Sequence, residues 1–111
     1  MANNLLNKKC MPCEGKGIKP FTRAEAEDYL AQTAGWKLDE KGITISKEFK
    51  FADFIGAINF VNLVADIAEQ EGHHPDIHVY YNKVVISLWT HAIGGLSEND
   101  FIVAAKIDAH K

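Results

Sequence analysis

The chain has 111 residues, 47% of them hydrophobic and 24% charged, with a formal charge of −3 and a pI near 5.9. That length makes one domain with a real core and not two, and the acidic balance argues against nucleic acid, whose binders show a basic stripe. No apolar run approaches the roughly 18 residues that a membrane span needs; with a polar start from Met1 to Lys9 and only two cysteines, a cytoplasmic location is the expectation.

Residues 1–20 read as an irregular arm and residues 21–111 as the folded domain. The arm carries Cys10-Met11-Pro12-Cys13 in a run rich in Lys, Gly and Pro. A structural zinc would need a second pair of ligands, and no second CxxC follows. A thioredoxin-like pair would follow a strand and open a helix. The two cysteines therefore read as free thiols in a loop.

Thr22-Arg23-Ala24-Glu25 has the spacing of a capping box and predicts a helix that ends near Gly35. Ala26, Tyr29, Leu30 and Ala34 fall on one side of it. Trp36-Lys37-Leu38 and Ile43-Thr44-Ile45 flank Asp39 to Gly42 as a hairpin. A second helix runs from about Ala52 to Gln70, with Phe54, Ile58, Val61, Ala65 and Ala68 as its main stripe, widened by Ile55, Leu63, Val64 and Ile67. Gly72 and Pro75 end it. In the next hairpin Ile77, Val79 and Tyr81 share a core face with Val84, Ile86 and Leu88, across a turn at Asn82-Lys83. That register sets His74 opposite His91. Ser97, with Asp100 three residues on, caps a last helix from Glu98 to about His110, with Phe101, Ile102, Ala105 and Ile107 as apolar positions. The order α-β-β-α-β-β-α makes a single α+β domain: a four-stranded antiparallel sheet with helices packed on one face. The edges of such a sheet must be covered or paired, which predicts self-association.

The functional signal lies between Glu69 and Asp100, where His73, His74, His78 and His91 fall close to Glu69. Imidazole has an unperturbed pKa of about 6.5, so it serves as acid or base near neutrality. Adjacent histidines on an extended chain point to opposite sides, which makes His73 and His74 poor joint metal ligands. Proton transfer is the chemistry this cluster suggests, with a metal-dependent hydrolase or sensor built on the histidines and Glu69 as a weaker rival. His78 and His110 read as structural.

Glu69, His73-His74-Pro75, Tyr81, His91 and Asp100 together resemble the motif of the pterin-4a-carbinolamine dehydratase family. Tyr81-Asn82-Lys83-Val84, Gly95-Leu96-Ser97-Glu98 and Gly35-Trp36 resemble it too, so the likeness runs from roughly Thr22 to Ile107. The resemblance implies removal of water from 4a-hydroxytetrahydrobiopterin, a small-molecule pterin, to give quinonoid dihydropterin, with no metal or organic cofactor required. By motif position His73 and His91 are the acid–base pair, and His74 binds substrate and assists proton transfer. Glu69, one turn before His73, is placed to orient an imidazole. Trp36 lines the pocket by resemblance, with a core role as the alternative. Asp100 belongs either to the site or to the helix cap, and Tyr81 is expected in the sheet core. Family members form homodimers and often homotetramers. Two positions depart from the family: Gly72 stands where many members carry Asp, and Asn99 where several carry Arg. A non-catalytic binding or coactivator module of the same fold is the alternative function.

Overall fold

The computed structural model describes residues 4–8 and 19–110. The Thr22 hydroxyl accepts from the Glu25 N–H, and the Glu25 carboxylate accepts from the Thr22 N–H, so the start of α1 (Arg23–Leu30) is satisfied reciprocally. α1 stops at Leu30, short of the expected end near Gly35. The Thr33 hydroxyl reaches the Tyr29 and Leu30 carbonyls, while the Gln32 and Thr33 N–H groups bond three residues back. These tighter bonds draw the chain out of the helix, leaving Thr33 buried and Ala34 exposed.

β1 (Lys37–Leu38) and β2 (Ile45–Lys50) form a first hairpin where one was expected, but its second strand starts at Ile45 instead of Ile43 and runs on to Lys50. Its turn is held by the Asp39 carboxylate, which accepts from the Ile43 and Thr44 N–H groups. α2 (Phe54–Glu71) is capped by Asp53 and ends at Gly72 in the left-handed region, φ 65. Its buried face differs from the expected stripe: Ala57, Phe60, Val64, Ile67 and Ala68 face the core, while Phe54, Ile55 and Ala65 are exposed. A helix with apolar residues on more than one side offers several stripes at helical spacing. Phe60 selects among them, meeting Phe49 of β2 with ring centroids 4.6 Å apart and Phe51 at 5.1 Å.

The sheet order is β1-β2-β4-β3, antiparallel throughout, with β3 spanning Asp76–Tyr80 and β4 spanning Lys83–Leu88. The second hairpin departs from the expected register by two residues. Ile77 pairs with Ile86 and Val79 with Val84, and the turn is Tyr81-Asn82, with Tyr81 at φ 51. The reason lies in the neighbouring strand: Lys83 is needed opposite Lys50 of β2, and the Asn82 carbonyl accepts from the Phe51 N–H. A shift of two keeps every side chain on its face. Val84, Ile86 and Leu88 therefore still join Ile45 and Phe49 in the core, each such burial worth about 1.5–3 kcal/mol. Tyr81, expected in the sheet core, instead sits on the turn and is 68% exposed.

α3 (Glu98–His110) has the expected bounds, and Phe101, Ile102, Ala105 and Ile107 are all buried. Three helices thus cover one face of a four-stranded sheet in an α+β fold, as the sequence order implies. Ahead of the domain, Asn4–Asn7 form a 3₁₀ turn whose Leu5 joins the core. Lys8 pairs with Glu98 at 2.6 Å, and the Tyr29 hydroxyl donates to the same carboxylate. Burial, and then the Glu98 carboxylate, push the Tyr29 phenol above its ordinary range. Cys10 and Cys13 lie outside the described residues.

Candidate active site

Gly72 decides where the two adjacent histidines go. Its left-handed backbone lets both its own N–H and that of His73 bond the Ala68 carbonyl, closing α2 and reversing the chain. His73 and His74 then find different partners. His73 Nε2 lies 2.6 Å from Asp100 Oδ1, with the side chains 12% and 0% exposed. His74 Nε2 lies 2.7 Å from Glu69 Oε2, with the side chains 61% and 78% exposed. Glu69 does hold an imidazole, but it is that of His74.

Asp100 serves the helix and the site at once. Its Oδ2 accepts from the Ser97 N–H at 3.0 Å, which caps α3, and from the Thr90 hydroxyl at 2.8 Å. A carboxylate without solvent needs such donors to stay ionised. With Asp100 ionised, and so an acceptor only, the proton of the 2.6 Å bond comes from His73 Nε2. That leaves Nδ1 as the ring atom free for a ligand; it has no partner among the described residues.

His91 opens a 3₁₀ turn, His91–Ile93, closed by Gly94 at φ 68. The turn stands on a bridge between Thr90 and Gly95, whose backbones bond each other in both directions at 2.7 and 3.4 Å. His91 is exposed, and its ring lies against Trp89, centroids 4.0 Å apart. It does not face His74 across the hairpin ladder, which begins only at Asp76 and Ser87. Its tie to His73 runs instead through Thr90 and Asp100.

Trp36 stands apart from this group. It is 4% exposed, packs edge-on against Phe49, and donates its indole N–H to Asp108 Oδ2 at 3.0 Å. Asp108 lies eight residues beyond Asp100 on α3, roughly 12 Å along the helix at about 1.5 Å per residue. The structure thus gives Trp36 the core position that was its alternative reading. Two grooves, of about 510 and 260 Å³, flank the C-terminal half of α3, and neither is lined by His73, His74, His91 or Glu69. Among the described residues, no group of three His, Cys, Asp or Glu side chains is placed to hold a metal ion, and no helix is long and apolar enough to cross a membrane.

A family model described as pterin 4 alpha carbinolamine dehydratase matches residues 19–110, which takes in the whole sheet, all three helices and every residue of the site. The chain belongs to the pterin-4a-carbinolamine dehydratase family. The mitochondrial pterin-4-alpha-carbinolamine dehydratase 2 of Arabidopsis thaliana is 48% identical over 95% of the chain, and the chain spans 58% of that protein. A relative from Halorhodospira halophila is also 48% identical, over 96% of each chain. Among solved structures, a transcriptional coactivator/pterin dehydratase from Brucella melitensis superimposes with a TM-score of 0.77 at 34% identity, over 82% of this chain and 97% of its own. A pterin dehydratase-like protein identified as a RuBisCO assembly factor in the alpha-carboxysome gives a TM-score of 0.59 at 28% identity, over 68% and 87%.

Within this candidate site, three supporting residues, Thr90, Glu71 and Lys106, had no role in the sequence reading, and Ser97 had one only as a helix cap. Thr90 and Ser97 hold Asp100. Glu71 and Lys106 form an ion pair at 2.6 Å, 4% and 17% exposed, that clamps the end of α2 to α3 two residues before His73. Ser97 was legible as a helix cap, but a cap pattern does not tell which further group the carboxylate will face. Glu71 and Lys106 had no local signal at all.

Proposed function

We propose that the protein is a 4a-hydroxytetrahydrobiopterin dehydratase acting in tetrahydrobiopterin recycling. The bond from ring carbon 4a to its hydroxyl breaks, an acid protonates the departing oxygen to water, and a base takes the proton of the neighbouring ring nitrogen as the C=N bond forms. His73 and His91 are the acid–base pair. His74, carried with Glu69 on the exposed side, contacts substrate. The observation that carries the reading is His73 itself: its Nε2 is committed to a buried carboxylate, so a single tautomer presents Nδ1 for proton transfer. General acid–base help of this kind is worth about 10²–10⁴-fold.

The test is the decay of 4a-hydroxytetrahydropterin with and without the protein. Wild type should accelerate it, and His73→Ala and His91→Ala should each remove about 10²-fold or more of that acceleration. Folded wild type that gives no acceleration would overturn the enzyme in favour of a second reading, a non-catalytic binding module. Two observations favour that second reading. The Brucella relative is described as a transcriptional coactivator as well as a pterin dehydratase, and the carboxysome relative as an assembly factor; the outer strand here exposes Val79 and Tyr80 beside Tyr81 of the turn.

A further inference from the structure

The geometry points to Thr90 as the positioning residue that holds the two histidines of the proposed acid–base pair in one frame. This rests on the dehydratase reading and adds to it a buried residue whose hydroxyl is engaged by Asp100 and Ser97. Thr90 is buried, and its hydroxyl meets two oxygens, Asp100 Oδ2 at 2.8 Å and Ser97 Oγ at 2.8 Å. A threonine hydroxyl has one proton to give. Since the carboxylate can only accept, that proton goes to Asp100, and the Ser97 hydroxyl donates to Thr90.

The bonds therefore run in one direction, from Ser97 through Thr90 to Asp100 Oδ2, while Asp100 Oδ1 faces the proton on His73 Nε2. With Oδ2 fixed by the Thr90 hydroxyl and the Ser97 N–H, the carboxylate plane is set and Oδ1 has one orientation toward the imidazole. Through its backbone, Thr90 also makes both bonds of the Gly95 bridge and accepts from the Ile93 N–H, closing the turn that presents His91. One side chain thus orients His73 through Asp100, and the same residue's main chain orients His91.

The experiment compares wild type, Thr90→Val and Thr90→Ser, each checked for folding by circular dichroism. Valine keeps the branched shape and loses the hydroxyl; serine keeps the hydroxyl. Thr90→Val should lower kcat by about 10–10²-fold, the scale of a misplaced catalytic group, with KM nearly unchanged because no substrate contact is lost. In the same variant the ¹⁵N shifts of the His73 ring should lose the signature of a fixed Nε2–H tautomer, and Thr90→Ser should restore both rate and shifts. Equal rates in wild type and Thr90→Val would overturn the role of Thr90 while leaving the dehydratase intact. So would a slow Thr90→Val whose His73 tautomer stays fixed, or a Thr90→Ser as slow as the valine variant, since either marks a packing role alone. Wild type without activity would overturn the dehydratase reading, and the His73 shifts in Thr90→Val would still decide the coupling. Should Thr90→Val not fold, Ser97→Ala takes its place: it removes the donor to Thr90 and should weaken the same tautomer signature, and an unaltered His73 ring there overturns the directed chain.

Discussion

His73 and His74 are neighbours in sequence and opposites in surroundings. Both imidazoles meet a carboxylate at nearly the same distance, 2.6 and 2.7 Å. One pair is shut between the end of α2 and the start of α3, and its carboxylate is held by a serine N–H and a threonine hydroxyl. The other stands in water, where an ion pair contributes 0–1 kcal/mol at best and holds its side chains loosely. Distance alone therefore says little about how firmly an imidazole is placed. Burial of the partner, and the partner's own partners, decide it.

Asp100→Asn attacks the contrast at its strongest point. The amide cannot accept from Ser97, Thr90 and His73 as the carboxylate does, and its N–H₂ favours the wrong tautomer of His73. We expect kcat to fall by about 10²-fold or more and stability by about 1–3 kcal/mol, the cost of an unsatisfied buried donor; steady-state kinetics and a thermal melt measure both. Lys106→Met comes next, because it leaves the Glu71 carboxylate buried without its cation. A loss of about 3 kcal/mol is expected, with a smaller fall in kcat, since the clamp lies two residues before His73. If stability falls and kcat does not, Asp100 alone places the ring. Glu69→Gln should do least. Its effect on stability should stay below about 1 kcal/mol, and KM should move more than kcat. A collapse of kcat in Glu69→Gln would mean that the exposed pair tightens around substrate and that the contrast between the two histidines vanishes in the complex.

The sequence pattern reached furthest where structure is set locally. Thr22 with Glu25, Gly72, and Ser97 with Asp100 each mark a helix end through bonds made within a few residues, and all three stand as read. The readings that changed depend on contacts across the fold. The turn moved to Tyr81-Asn82 because β2, not the hairpin itself, claims Lys83. The face of α2 turned because Phe60 had to reach Phe49. In the candidate site, the motif groups His73, His74 and Glu69 by spacing, yet the pairing of Glu69 with His74 and of Asp100 with His73 follows from the left-handed turn at Gly72 and from the distance between two helices. Neither appears in residue spacing. Trp36 shows the same limit, since the bond that fixes its indole comes from Asp108 near the far end of α3.

The chain's two tryptophans happen to fall on either side of this division. Trp36 is sealed in the core with its indole N–H on Asp108, whereas Trp89 lies against the ring of His91. Intrinsic fluorescence therefore carries two separable signals, one for global unfolding and one for events beside His91. Replacing Trp36 by Phe leaves Trp89 as the single tryptophan, in contact with His91 of the candidate site, so that occupancy there can be followed by its emission under selective tryptophan excitation, without turnover.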